Sequence, residues 1–266
     1  MAKHTNMSTA STKPEESPYT HLIIVCCHAI YTGNGSDLSE SQWILKPYQI
    51  SDPKTGRPSE HETFITHILA GARAIEDDKN AMLTFSGGFT GDSKISEAGG
   101  YRAVLKSLRD HDILHDPNYF EEELATDSFQ NLLFSILQFQ RVTGRYPERV
   151  TVITHAFKQK RFLELHAPAI KWPANRIRVR GVNPPFTHEE LKSTEKGEAE
   201  NAYELFVKDP YGVRPPLSEK REARHWERSN TRVVFPGLDP VLGRLLMWEG
   251  GESGREVFPE RLPWEE

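Results

Sequence analysis

Cysteine is nearly missing from this chain: among 266 residues there are two, Cys26 and Cys27, and they are adjacent. Neighbouring cysteines meet disulfide geometry poorly. The pair lies in an apolar run and reads as reduced thiols in a buried strand. No staple is needed, because a chain of this length buries roughly three quarters of its unfolded surface. An excess of one charge is missing as well, with 33 Lys and Arg against 38 Asp and Glu and a net charge of −5. Without a basic field the chain is not expected to grip nucleic acid. No apolar stretch approaches the ~20 residues of a membrane span. Residues 1 to 18 are polar, carry Glu15 and Glu16 and lack an apolar segment. They fit neither a secretory signal nor a transit peptide and read as a disordered tail, so a cytoplasmic location is the expectation. No internal repeat is present.

What the chain does have is alternation. Leu22 to Cys27 is a continuous apolar run, as in a strand buried on both faces. A long connection follows from 31 to 59, which must be functional or locally structured. Phe64, Ile65, Ile68, Leu69, Ala72 and Ile75 then recur at helical spacing. Ala81 to Phe85 reads as a second strand and Ser96 to Leu108 as a helix. The segment from His111 to Phe120 is expected to be extended, ending near Glu122. Phe129 to about Val142 is a strong helix with Gly144 as its stop. Val150 to Thr154 is a further strand, Phe157 to about Leu165 a helix, and Arg176 to Arg180 a half-exposed strand. Strands alternating with helices imply an α/β fold with a parallel sheet and helices on both faces. The expected organisation is a tail (1–18), an α/β domain (19–184) and a charged, mainly helical C-terminal extension (185–266) docked on it.

Three polar segments sit where such a fold places its ligands, at the carboxyl ends of strands. Ser86, Gly87 and Gly88 follow the second strand; their glycines either let a backbone turn cradle an anion or serve a tight turn alone. Glu97 opens the next helix, where it complements the helix dipole or projects into the cleft as a base, a metal ligand or a partner for a ribose hydroxyl. Glu122, Thr126, Asp127, Ser128 and Asn131 crowd the entrance of the strongest helix. Asp127 and Gln130 form a capping pair there, and the others suit an anion or a hydroxylated ligand. Thr154 and His155 end a strand, with Lys158, Lys160 and Arg161 close behind. Cations in the first turn of a helix oppose its dipole, a cost that a bound phosphate or carboxylate offsets; Arg161 suits bidentate pairing and Lys160 is expected in solvent. His28 ends the first strand and is either scaffold or catalyst. His61, Glu62 and His67 lack the spacing of a zinc motif, and no metal site is expected.

Taken together, these segments resemble the YdcF/SanA/ElyC-like family, domain of unknown function 218. Ser86-Gly87-Gly88 and Ser96-Glu97-Ala98 stand as that family has them, Glu122 takes the place of its glutamate, and Ala125 to Asn131 follows with conservative changes. Thr154 and Arg161 match its last motif in register. The resemblance covers roughly residues 20 to 182 and implies a Rossmann-like fold with S-adenosylmethionine as one candidate ligand. The chain departs from it twice. Cys27-His28-Ala29 replaces glycines after the first strand, and Lys158 stands where the family has histidine. Lys158 can act as an acid or base only with a strongly depressed pKa. The segment after Pro184 lies outside the bacterial pattern and looks like a eukaryotic-type extension.

The expected function is a small-molecule enzyme acting on a nucleotide-like or phosphorylated ligand. Gly87, Gly88 and the amides around Ser128 would hold the anion, Arg161 would pair its charge, and Glu97, Glu122 and His28 are the acid/base candidates. The alternative is a non-catalytic metabolite-sensing module that engages a protein partner through its C-terminal extension.

Overall fold

A computed structural model describes residues 17–108, 118–226, 235 and 237–265. Its centre is a five-stranded sheet, all parallel, in the order β5-β4-β1-β6-β7. The strands are β1 His21–Cys26, β4 Ala81–Ser86, β5 Tyr119–Glu122, β6 Arg149–Thr154 and β7 Ile177–Gly181. Every residue from Leu22 to Cys26 is buried, because helices cover β1 on both faces. Alternate β1 residues serve opposite layers. Ile23 and Val25 pack with Leu83 and Phe85 under helices α1 His61–Asp77 and α2 Glu97–Leu108. Leu22 and Ile24 pack with Met82 and Val152 under α3 Ser128–Thr143. The α/β reading and the Rossmann-like strand order are thus present in the structure.

Several boundaries agree closely with the sequence pattern. Helix α3 starts behind the cap Asp127, whose carboxylate accepts the Gln130 amide, and ends at Gly144 with φ 79°. That left-handed angle is why glycine stops the helix there. The run after β6 differs from the single helix expected. It is a 3-10 turn at Ala156–Lys158, a π segment at Arg161–His166 and the short α4 Ala167–Ala169. The residues from 109 to 117 lie outside those described, so only the Tyr119–Glu122 end of the expected extended stretch is seen. The expected disordered tail, residues 1 to 18, likewise falls almost wholly outside them.

The connection between 31 and 59 is locally structured. It folds into a ribbon of β2 Ile30–Tyr31 and β3 Trp43–Ile44. Tyr31 is buried and its hydroxyl donates to the Asp37 carbonyl at 2.7 Å. Beyond β7 come α5 His188–Glu198, a π turn Ala199–Tyr203 and α6 Glu204–Lys208, then α7 Leu217–Glu222 and α8 Pro240–Leu246. This C-terminal part shares one apolar layer with α3: Phe206, Leu217, Leu242, Phe258 and Trp264 are buried with Phe129, Leu133 and Ile170. Trp264 donates to the Ile170 carbonyl at 2.7 Å and Tyr211 to that of Ala169 at 2.9 Å. No helix among the described residues is long and apolar enough to cross a membrane.

Candidate functional site

The strand order reverses between β1 and β6, because the chain leaves β1 through α1 on one face and β6 through the helical run on the other. Their carboxyl ends therefore open a crevice, the usual ligand position of such sheets. His28, two residues past β1, and Thr154, the last residue of β6, face each other there. His28 Nε2 lies 3.3 Å from Thr154 Oγ1, and its Nδ1 lies 3.2 Å from Lys158 Nζ. With the ammonium donating to Nδ1, the imidazole carries its proton on Nε2 and donates to Thr154. The ring also stacks on His155 (centroids 4.4 Å), which stacks in turn on Phe157 at 4.8 Å. His67 on α1 closes the group edge-on to His155 at 5.1 Å and donates Nε2–H to the Val182 carbonyl at 2.9 Å.

This environment sets the protonation states. Burial, reinforced by the Lys158 charge, holds His28 and His155 well below the ordinary imidazole value. Burial takes His67 down to about 4, although its bond to Val182 opposes the shift. Burial, aided by Arg161, lowers Lys158 to about 8, while Glu198 and Glu60 pull the other way. Lys158 therefore has the depressed pKa that an acid/base role requires of a lysine. His155 has no hydrogen-bond partner on either ring nitrogen, and Glu60 Oε2 lies 4.0 Å from its Nε2. Arg161 is buried, its NH1 3.3 Å from Glu198 Oε1 and its Nε unpartnered.

Glu97 reaches the same crevice from the first residue of α2. It is buried and accepts from Thr90 Oγ1 at 3.3 Å. Burial raises its pKa against the opposing charges of Arg224, Lys46 and Lys158. The Cys26 thiol at the end of β1 feels Lys158, Arg161, Glu122 and Glu97 together, while burial pushes it up to about 12.

The other sequence candidates are turned into the fold. Gly87 donates its amide to the Glu122 carbonyl at 3.0 Å and Gly88 to that of Ala125 at 2.8 Å. Their amides are spent on the protein, which corrects the expected anion cradle. Their smallness is still required: a Cβ on Gly87 would stand 2.7 Å from Glu97 Oε2 and 2.8 Å from Cys27 Cβ. Gly87→Ala is therefore expected to displace Glu97 and cost about 1–3 kcal/mol as overpacking, read from the urea midpoint.

Glu122, read as an acid/base candidate, ties the interior together. Its Oε2 accepts from Ser86 Oγ at 2.5 Å, and its Oε1 accepts the amides of Leu124 at 2.7 Å and Ala125 at 3.0 Å. Asn131 donates to the Ser86 carbonyl and hydroxyl at 3.0 and 2.9 Å. Thr126 donates both its amide and its hydroxyl to Gln130 Oε1. Ser128 bonds His166 Nε2 at 2.7 Å. Asp127 caps α3 and pairs with Arg221 Nε at 2.6 Å. Ser86, Glu122, Thr126, Asp127, Ser128 and Asn131 thus build the wall behind the crevice. His28, Thr154 and His155 meet in it, and the buried Arg161 and Glu97 interact electrostatically with Lys158.

Sequence reasoning did not find Glu60, His67, Lys46, Glu198 or the arginines of the C-terminal part. The α1 histidine was weighed only against a zinc motif. Among the described residues no three His, Cys, Asp or Glu side chains are grouped to hold a metal ion. Lys160 is exposed, as expected, and so are Arg178 and Arg180. A separate hollow of about 160 Å³ between α3 and the C-terminal part, lined by Phe129, Leu133, Tyr211 and Trp248 among others, touches neither His28 nor Lys158.

Comparison with known proteins adds one relative. The chain is 27% identical over 294 aligned positions to the uncharacterized protein YOR238W of Saccharomyces cerevisiae, covering 91% of this chain and 96% of that protein. The match spans both the sheet and the C-terminal part. No family model and no solved structure matches.

Proposed function

We propose that the chain is an enzyme acting on a nucleotide-like or phosphorylated small molecule in the β1/β6 crevice. The observation that carries this reading is the run Lys158–His28–Thr154 beside the buried Arg161 and Glu97. Arg161 and Lys158 supply charge for a phosphate in a region where water screens little. Lys158, at about 8, exchanges protons near neutrality. As an ammonium it protonates a leaving oxygen; once deprotonated it takes a proton from a nucleophile, with His28 fixing its position. Glu97 is the second acid/base group. Transfer and hydrolysis are both open to this set.

The resemblance to the YdcF-like family remains part of this proposal, and S-adenosylmethionine remains a candidate ligand. The cationic side chains at the crevice disfavour it, because its sulfonium is itself positive; an anion offsets their mutual repulsion. A cytoplasmic setting accords with two free, buried cysteines. A non-catalytic sensing module is the second reading, favoured by the engagement of Arg161 with Glu198 on α5.

The test is turnover and equilibrium binding of ATP, sugar nucleotides and S-adenosylmethionine. Lys158→Met is expected to lower turnover by about 10²–10⁴-fold while affinity changes far less, and Arg161→Ala to weaken phosphate-bearing ligands by roughly tenfold or more. The wild-type rate should follow an ionisation near pH 8. Undiminished turnover in Lys158→Met would overturn the catalytic role, and binding with no turnover of any candidate would leave the sensor.

A further inference from the structure

The C-terminal part does more than cover the sheet. Arg221 Nε reaches Asp127 Oδ2 at 2.6 Å, and Arg224 NH1 donates to the Thr126 carbonyl at 2.6 Å. Two arginines from the segment at and after α7 are therefore bolted to the entrance of α3. On the other side, Glu198 of α5 holds Arg161, and Lys220 Nζ donates to the carbonyl of Asn201, three residues beyond Glu198. Burial lowers the pKa of Lys220, as do the charges of Arg161 and Arg224, while Asp127 and Glu198 oppose the shift. Lys46, two residues past β3, is lowered by burial and by the charges of Arg224 and Lys220, against the opposing Glu97 and Glu60.

The charges divide unevenly. Asp127 neutralises Arg221, and Glu198 sits against Arg161. Lys158 is left with His28 as a neutral partner, while Lys220 and Arg224 are held by neutral carbonyls. Among the described residues the carboxylates acting on this group are Asp127, Glu198, Glu97 and Glu60, and burial pushes the last three toward their uncharged forms. Crowding cations against too few counter-charges is unfavourable, because like charges repel. The cations lie on two walls, Lys158 beside the Glu198-paired Arg161 on the β6 side and the exposed Lys220 with the half-buried Arg224 on the C-terminal side. A single phosphate can be held by one wall; the second wall calls for a second anionic group.

We infer that the C-terminal part is a structural component of the ligand site, and that the ligand carries at least two linked phosphates, one met by Lys158 and Arg161 and the next by Lys220 and Arg224. This rests on the proposal of a phosphorylated ligand and narrows it to the diphosphate class. Arg221 is the positioning residue that seats the second wall.

The experiment is calorimetric titration of the full chain with inorganic phosphate, pyrophosphate and tripolyphosphate, for wild type, Lys220→Gln, Arg224→Gln, Arg224→Lys and Arg161→Ala. Each added charge-assisted contact is worth roughly a tenfold gain. Pyrophosphate is therefore expected to bind at least about tenfold more tightly than phosphate. Lys220→Gln and Arg224→Gln should each erase most of that advantage while lowering phosphate affinity far less than Arg161→Ala does, with Arg224→Lys restoring part of it. Lys220 is exposed, so its variant decides the matter should Arg224→Gln fail to fold by circular dichroism. Equal affinity for phosphate and pyrophosphate, or a pyrophosphate advantage intact in folded variants of the second wall, overturns the inference. If phosphate then still binds through Arg161, the proposed function stands without it; if no phosphate compound binds, both fall.

Discussion

Acidification from pH 7 to pH 5 is expected to remove several kcal/mol of unfolding free energy. Four histidines carry this: His28, His155 and His166 are held well below the ordinary value and His67 at about 4, all chiefly by burial. Their side chains are neutral in the fold and titrate near 6.5 once released. Between those limits the unfolded chain binds more protons, so stability is full above pH 6.5 and falls as the pH drops toward the folded values. Each such histidine contributes a slope of about 1.4 kcal/mol per pH unit, and His67 alone about 3 kcal/mol across its window.

Glu122 acts in the opposite direction. Burial raises it to about 7, so its contribution is full below the usual carboxylate value and is lost as the pH rises through 7. Glu60, Glu97 and Glu198 are raised too, again by burial, and oppose the histidines at the acid end. Between pH 6.5 and 5.5 four imidazoles outweigh them. Urea unfolding at half-unit pH steps measures the balance. A flat profile from pH 7 to 5 would show that the cluster is not closed to water.

Removing the Glu122 side chain is the second large effect. Glu122→Ala strands the Ser86 hydroxyl and the amides of Leu124 and Ala125, each without its acceptor in a closed interior. Every unsatisfied buried donor costs about 1–3 kcal/mol, and a total near 3–5 kcal/mol is expected, enough to unfold many domains of this size. Glu122→Gln keeps a carbonyl for part of the set and should lose less than half as much. The pair also separates two roles. A wall residue tolerates glutamine with turnover retained, whereas an acid/base residue loses turnover at unchanged stability. Thermal melts together with the turnover assay read both, and a stable but inactive Glu122→Gln would restore Glu122 to the chemistry.

Much of the architecture is local and therefore readable from the chain. Leu22 to Cys26 is apolar without interruption because both faces of β1 are covered. The 3.6-residue spacing of α1 and α3 reflects a single buried face each. Gly144 stops α3 because its backbone needs a left-handed angle that other residues resist. Strand-end placement likewise brought His28, Thr154, His155, Arg161 and Glu97 forward as candidates.

What the pattern could not show was which polar groups satisfy one another. Ser86, Glu122 and Asn131 are far apart in sequence, and only the pairing of β4 with β5 and the packing of α3 reveal that they bond among themselves. The glycine amides are bound for the same reason. His67 lies on α1 and Glu60 just before it, with no motif to mark either.

By itself, then, the sequence determined the alternating strands and helices, the lack of a staple, and the edge of the sheet where polar side chains gather, because periodicity and strand ends are properties of neighbouring residues. Only the tertiary structure decided which of those polar groups stay available, how far burial moves Lys158 and the histidines, and that Arg221 and Arg224 return from the C-terminal part to the entrance of α3. Those depend on distances and desolvation between segments that the chain order keeps apart.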